Sequence, residues 1–150
     1  MIKEELESVY SKFKLHFYKS FFEKIQAREA SLTTVETYCI EIIAALGNPT
    51  VSEFSSFLQI SSPNAAYKVN SLIKKGYLRK IQSESDKREY HLEVTDKYLD
   101  YYNLSSTYVD TVATRMKNTF SDEELKILDK ILRITEEELM PEVEFTGAPN

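Results

Sequence analysis

Three glycines and four prolines in 150 residues leave little material for irregular loops, so the chain is expected to run in long helices. One cysteine, Cys39, excludes an intramolecular disulfide framework and points to a reducing compartment. No apolar run reaches the roughly 18 residues that a membrane span needs. The opening MIKEELESVY is charged and helix-like, so no secretory leader and a cytoplasmic location are expected. The two histidines, His16 and His91, lie far apart with no helical ligand spacing, and no metal site is expected. A Gly-rich phosphate loop, a paired-carboxylate motif and a nucleophile–base arrangement are all missing. Neither an enzyme nor a cofactor is therefore expected.

What is present suits one compact domain, or one small domain with helical extensions. The 42% hydrophobic fraction is enough for a core. Residues 2–27 place Leu6, Val9, Tyr10, Phe13, Phe17, Phe21 and Ile25 at three- and four-residue steps, a helix with a broad aromatic stripe. Tyr18 and Phe22 widen that stripe beyond what one small core needs, which points to a second subunit. Thr33 with Glu36, Thr50 with Glu53 and Ser121 with Glu124 fit capping boxes, each opening a helix. Gly47-Asn48-Pro49 stops the first of these helices. The second is short, through Val51, Phe54, Phe57 and Leu58, and the third is the last helix, ended by Pro141. The tail EVEFTGAPN is expected to be mobile. Ser61-Ser62-Pro63 begins another helix, whose inner stripe is Ala65, Ala66, Val69, Leu72 and Ile73, with Gly76 as its left-handed stop. Residues 77–81 and 89–94 read as two strands around a polar loop, and a long helix follows from Asp96 to about Met116.

The order of elements between Thr50 and Thr95 is that of a winged helix-turn-helix, a module that sets one helix in a DNA major groove and a hairpin beside it. Charge supports this. Residues 61–91 hold seven Lys/Arg against three Asp/Glu, a balance of +4, while residues 1–60 and 92–150 come to −2 and −7. A basic island in a chain of net charge −5 points to phosphate on one face. With Val69 inward, Tyr67 and Ser71 face outward with Asn64 and Lys74 close by, and Lys68, Asn70 and Lys75 on the flanks. Asn64 can pair with an adenine edge, and Tyr67 can reach a base edge or a phosphate. Ser61 and Ser62 suit contacts at the helix N-terminus, and Lys74 and Lys75 suit phosphates. The bland alternative makes Tyr67 a packing residue and the lysines a solvated face. On the loop, Lys87 and Arg88 would meet backbone or the adjacent minor groove, with Asp86 structuring the wing around Arg88. Cys39, between Tyr38 and Ile40, is the redox candidate, and its neighbours suggest a buried, inert thiol.

The run NSLIKKGYLR at 70–79, then Asp86-Lys87-Arg88, then Leu92-Glu93-Val94-Thr95, resembles the MarR family (multiple antibiotic resistance regulators). The family's pattern is D-R-L-x-x-K-G-hydrophobic, a D-x-R at the wing, then L-x-L-T, and the spacing here is gap-free. Asn70 stands where Asp is common and Tyr67 where a basic residue is common, so operator sequences do not carry over. The motifs cover about a third of the chain, residues 70–95 and their surroundings; the outer helices match in length and apolar character alone.

The resemblance implies a mainly α fold with a small β-hairpin: a winged helix-turn-helix at about 33–95 within one domain, dimerisation helices at about 2–27 and 96–140, and a tail at 141–150. It also implies a homodimeric, sequence-specific regulator of double-stranded DNA, a repressor of an inverted-repeat operator, with no membrane partner. Such proteins bind small aromatic or lipophilic effectors between the dimer helices and the DNA-binding lobe. Phe13, Phe17, Tyr38 and Tyr101 could line that pocket, and aromatic core plus dimer interface is the competing reading. The alternative function is a winged-helix module that holds a protein partner.

Overall fold

The computed structural model describes residues 1–27, 32–102 and 105–147, with the side chains of 24, 25, 27, 100–102 and 105–107 left aside. Its elements run α1 (Ile2–Ala27), α2 (Thr34–Leu46), α3 (Val51–Leu58), α4 (Ser62–Lys74), β1 (Leu78–Gln82), β2 (Tyr90–Val94), α5 (Asp96–Tyr102), α6 (Ser105–Thr119) and α7 (Asp122–Leu139). The fold is thus mainly helical with one antiparallel hairpin, as expected. The stretch expected to be helical from Asp96 to about Met116 is helical at 96–102 and 105–119, and residues 103–104 lie outside the described residues.

The chain divides into two compact units, residues 1–22 with 103–144, and residues 23–102 with 145–150. The second is the winged unit. Its core joins Leu32, Cys39, Ile40, Ile43, Phe54, Ala65, Val69, Leu72, Tyr77, Leu78, Leu92 and Tyr98. Every helix of the helix-turn-helix and both strands contribute, so burial of this one apolar set fixes their mutual placement. Tyr98 brings α5 into that core, which extends the unit past the expected boundary at residue 95.

Local chemistry sets the corners. At α3 the capping box is complete: Thr50 Oγ1 accepts from the Glu53 amide at 3.0 Å and Glu53 Oε1 accepts from the Thr50 amide at 3.0 Å. The same holds for Ser121 and Glu124 at α7. The Thr33–Glu36 box forms by half. Thr33 Oγ1 accepts from the Glu36 amide, but the Glu36 carboxylate turns to Lys75. An ammonium 39 positions away outcompetes a local amide for that carboxylate.

Gln59 closes α3 in the left-handed region at φ 54, a position that disfavours any residue with a Cβ. It is held there by the Gln59 and Ile60 amides, which donate to Ser56 and Ser55 carbonyls, and by Ser55 Oγ, which donates to the Ile60 carbonyl at 2.8 Å. The tail also departs from expectation. Thr146 donates from its amide and hydroxyl to the Leu46 carbonyl at 2.8 and 3.0 Å, capping the end of α2. A Cβ on Gly147 would overlap the Gly47 carbonyl oxygen, so only glycine lets the tail approach this closely.

In the terminal-helix unit, His16 stacks on Tyr108 at 3.7 Å and Phe13 meets the same ring edge-on at 5.5 Å. By contrast, α7 buries no residue, and Ile127, Ile131, Leu132 and Leu139 are exposed, as are Leu6, Val9 and Tyr10 of α1.

Gln59→Val should lower stability by about 1–2 kcal/mol, because a β-branched residue tolerates the left-handed region least. Chemical denaturation followed by circular dichroism reads this; an unchanged midpoint would mean the turn relaxes without strain.

Candidate nucleic-acid interface

The helix that would enter a groove is α4. Ser61 is its N-cap, accepting from the Asn64 amide at 3.2 Å, and Pro63 sits in its first turn. Ala65, Val69 and Leu72 are buried on one side, and the opposite side presents Asn64, Tyr67 and Lys74 to solvent. Tyr67 is 77% exposed, which excludes a packing role within its own chain. Ser61 and Ser62 are exposed at the start of the helix, and Lys68 and Ser71 are half-buried on its flanks.

The helix stops by a Schellman arrangement. The Gly76 amide donates to Ile73 and the Tyr77 amide to Leu72, both at 3.0 Å, with Gly76 at φ 86. The hairpin then leaves directly, Leu78 pairing with Val94 and Gln82 with Tyr90. Thr95 Oγ1 returns to the Gly76 carbonyl at 2.6 Å and Lys97 Nζ to the Lys75 carbonyl at 3.0 Å. The base of the wing is thereby stitched to the end of α4. At its tip, Asp86 Oδ1 accepts from the Arg88 amide at 3.0 Å and lies 3.4 Å from Arg88 Nε, while the Glu89 amide donates to the Asp86 carbonyl. Asp86 therefore shapes the turn and holds Arg88, whose guanidinium stays exposed beside exposed Lys87.

Besides Arg88, two cations of the basic island have carboxylate partners in the protein. Lys75 Nζ is 2.7 Å from Glu36 and only 28% exposed, so it has a partner within the winged unit. Arg79 pairs with Glu93 across the hairpin. Sequence spacing offered no signal for Glu36, since its partner lies in another helix. Cys39 is buried, and burial pushes its thiol up from the ordinary value, opposed by Lys68 and reinforced by Glu36. It stays a protonated thiol at neutral pH, the inert state.

The pocket-lining set is distributed over both units. Phe13 and Phe17 belong to the terminal helices, packed on Tyr108 and Phe21 respectively, and Tyr38 is a half-exposed residue of the winged unit. The side chain of Tyr101 lies outside the described residues. Among the described residues no group of His, Cys, Asp or Glu could hold a metal ion, and no helix is long and apolar enough to cross a membrane.

A short capped helix, a tight turn, an exposed second helix and a basic hairpin define a winged helix-turn-helix protein. The sequence model of the MarR family matches residues 32–90 of the chain. Among solved structures it is similar to Streptococcus pneumoniae FabT in complex with DNA, at 22% identity and TM-score 0.56, covering 93% of this chain and 97% of that one. It is also similar to a mutant of MepR from a multidrug-resistant clinical isolate of S. aureus, at 13% identity and TM-score 0.61, covering 93% and 98%. A third is a MarR-like transcriptional regulator of Thermotoga maritima, at 23% identity and TM-score 0.51, covering 89% and 95%. No curated protein matches the chain.

Lys75→Met should destabilise the fold by about 1–3 kcal/mol, because it leaves the part-buried Glu36 carboxylate without its donor. Lys74→Met, one position along, should leave the melting temperature unchanged. Equal melting of the two variants would remove the distinction drawn between them.

Proposed function

We propose that this protein is a homodimeric, sequence-specific DNA-binding transcriptional regulator, a repressor of an inverted-repeat operator that a small aromatic or lipophilic effector releases. The observation that carries the reading is the outer face of α4, with Asn64, Tyr67 and Lys74 in solvent and a wing bearing Lys87 and Arg88 on the same unit. Asn64 offers a bidentate amide for an adenine edge, and Tyr67 a hydroxyl and ring for a base edge or phosphate. Ser61 and Ser62 serve the backbone at the helix start, with Lys68, Ser71 and Lys74 around them. Lys87 and Arg88 meet the neighbouring minor groove, Arg88 held by Asp86. FabT was solved with DNA, which supports the same use of this fold here.

The dimer reading rests on the uncovered apolar residues of α1 and α7. Covering each large one contributes about 1.5–3 kcal/mol, and a second copy of the same helices supplies the matching surface. Two copies of α4 then enter successive major grooves about 34 Å apart. An effector that binds only one spacing of the two lobes shifts the population away from that geometry. Phe13, Phe17, Tyr38 and Tyr101 remain the proposed lining of its pocket. The protein works as a binder, without catalysis, in the cytoplasm.

Selection of random duplex DNA by the purified protein, with its mass in solution measured alongside, tests this. Enrichment of an inverted repeat by a dimer is the expected result. Retention that is insensitive to salt and carries no motif would favour the protein-interaction alternative.

On the selected operator, Asn64→Ala should lose about 1–3 kcal/mol at particular base pairs and little on others. Arg88→Ala should weaken binding on every sequence and flatten its salt dependence. If both variants match the parent across salt and sequence, the face is misassigned.

A further inference from the structure

One basic residue of the island has no place in that interface. Lys80 sits on β1 opposite Leu92, and Leu92 is buried against the helices. Partners across a ladder share a face, so Lys80 lies on the inner face of the hairpin together with Leu78, Val94 and Tyr90. Along that face the residues change from buried and apolar at the base, Leu78 and Leu92, to exposed and polar toward the tip, Lys80 and Tyr90. Where the change occurs, a crevice opens between the hairpin and the first turn of α3, lined by Thr50, Ser52, Lys80, Arg88, Glu89 and Tyr90. Among the described residues Lys80 has no carboxylate within ion-pair distance, unlike its neighbour Arg79, which is paired with Glu93.

The path of a duplex across this surface gives the crevice a role. One sugar-phosphate strand separates a major groove from the next minor groove. With α4 in the first and the wing tip in the second, that strand would run past the hairpin, on which Lys80 lies. We propose that this crevice seats one backbone phosphate of the duplex, held by the Lys80 ammonium with the hydroxyls of Tyr90 and Ser52 as further donors. The proposal rests on the DNA-binding reading above. Lys80 and Arg88 against Glu89 leave the rim with a balance of one positive charge, the sign a phosphate needs. The contact adds affinity without reading sequence, because a phosphate is the same at every base pair. It also fixes how far the wing can swing from α4, since both would then grip the same strand.

The test uses the full-length dimer and its selected operator. Lys80→Gln removes one contact from each subunit and should reduce the slope of log affinity against log salt by about two, a relative loss that shrinks about tenfold between 50 and 200 mM salt. Tyr90→Phe should weaken binding at all salt concentrations, and Lys80→Arg should restore the parent's slope. Replacing operator phosphates one at a time by neutral methylphosphonates should find one position per half-site where the parent loses affinity and the Lys80→Gln protein loses nothing more. Thermal melts of the free proteins, expected to coincide, exclude a folding effect. A Lys80→Gln slope equal to the parent's, or losses that add at every phosphate, would overturn this assignment while leaving the DNA-binding reading intact. A parent that binds no duplex would overturn both.

Discussion

The helix α4 and the wing can share a task only if the chain changes from helix to strand within three residues, and that change turns on Gly76. Its φ of 86 lets the Gly76 and Tyr77 amides turn back onto the last turn of α4. The constraint is conformational and not steric crowding, since a Cβ there would meet only the flexible Lys97 side chain at 3.7 Å. Tyr77 is buried immediately afterwards, and β2 closes the loop by sending Thr95 back to the Gly76 carbonyl. Lys75 fastens the same corner to α2 through Glu36. Freeing any of these ties would let the wing move relative to α4 while each element stayed folded. The motif that carries the family resemblance, K-G followed by D-x-R and L-x-V-T, is therefore largely a set of stitches. Lys75, Gly76, Asp86, Leu92 and Thr95 hold the geometry that lets other residues face outward.

That distinction explains what could be read from the chain. Helix starts were legible because capping is local: Thr50 with Glu53 and Ser121 with Glu124 close their own rings. The outward face of α4 was legible because a 3.6-residue period fixes it once Val69 is inward. What failed to show was long-range. Nothing near Glu36 announces that its carboxylate will leave the capping box for an ammonium in another helix. Nothing near Thr146 announces that the tail will return to cap α2, because a few polar residues after Pro141 look the same pinned or loose. Gln59 in the left-handed region carries no glycine or asparagine to mark it; the Ser55 hydrogen bond that holds it exists only once the turn is made. Lys80 carries no local signal either, because a lysine on a strand reads as an edge residue until the register places it opposite buried Leu92.

The two units divide the work differently. The winged unit is self-sufficient, with a core drawn from all its helices and both strands. The terminal helices are not: α7 carries an apolar stripe with no buried residue at all. In the dimer proposed above, a helix of that kind would find its stability in the partner's surface, and the placement of two winged units would be a property of the assembly. On that reading the spacing of the two α4 helices is set by packing among aliphatic and aromatic side chains at the ends of the chain, far in sequence from the residues that meet DNA. A ligand wedged among such side chains needs no contact with DNA to alter affinity for it. It needs only to prefer one spacing over another.

Charge shows the same separation between holding and touching. Counting residues 61–91 gives seven cations, yet Lys75 is paired with part-buried Glu36 and Arg79 with Glu93 on the exposed hairpin. The first pair ties the end of α4 to α2 and the second links the two strands, and neither pair carries net charge. The cations left to act outward are Lys68 and Lys74 on α4, Lys80 on β1, and Lys87 with Arg88 at the tip, a band from the helix to the wing. In the proposed complex, a chain of net charge −5 whose cations gather within residues 61–91 would meet DNA by that one segment. That arrangement limits non-specific coating and raises the share of encounters in which α4 meets a groove.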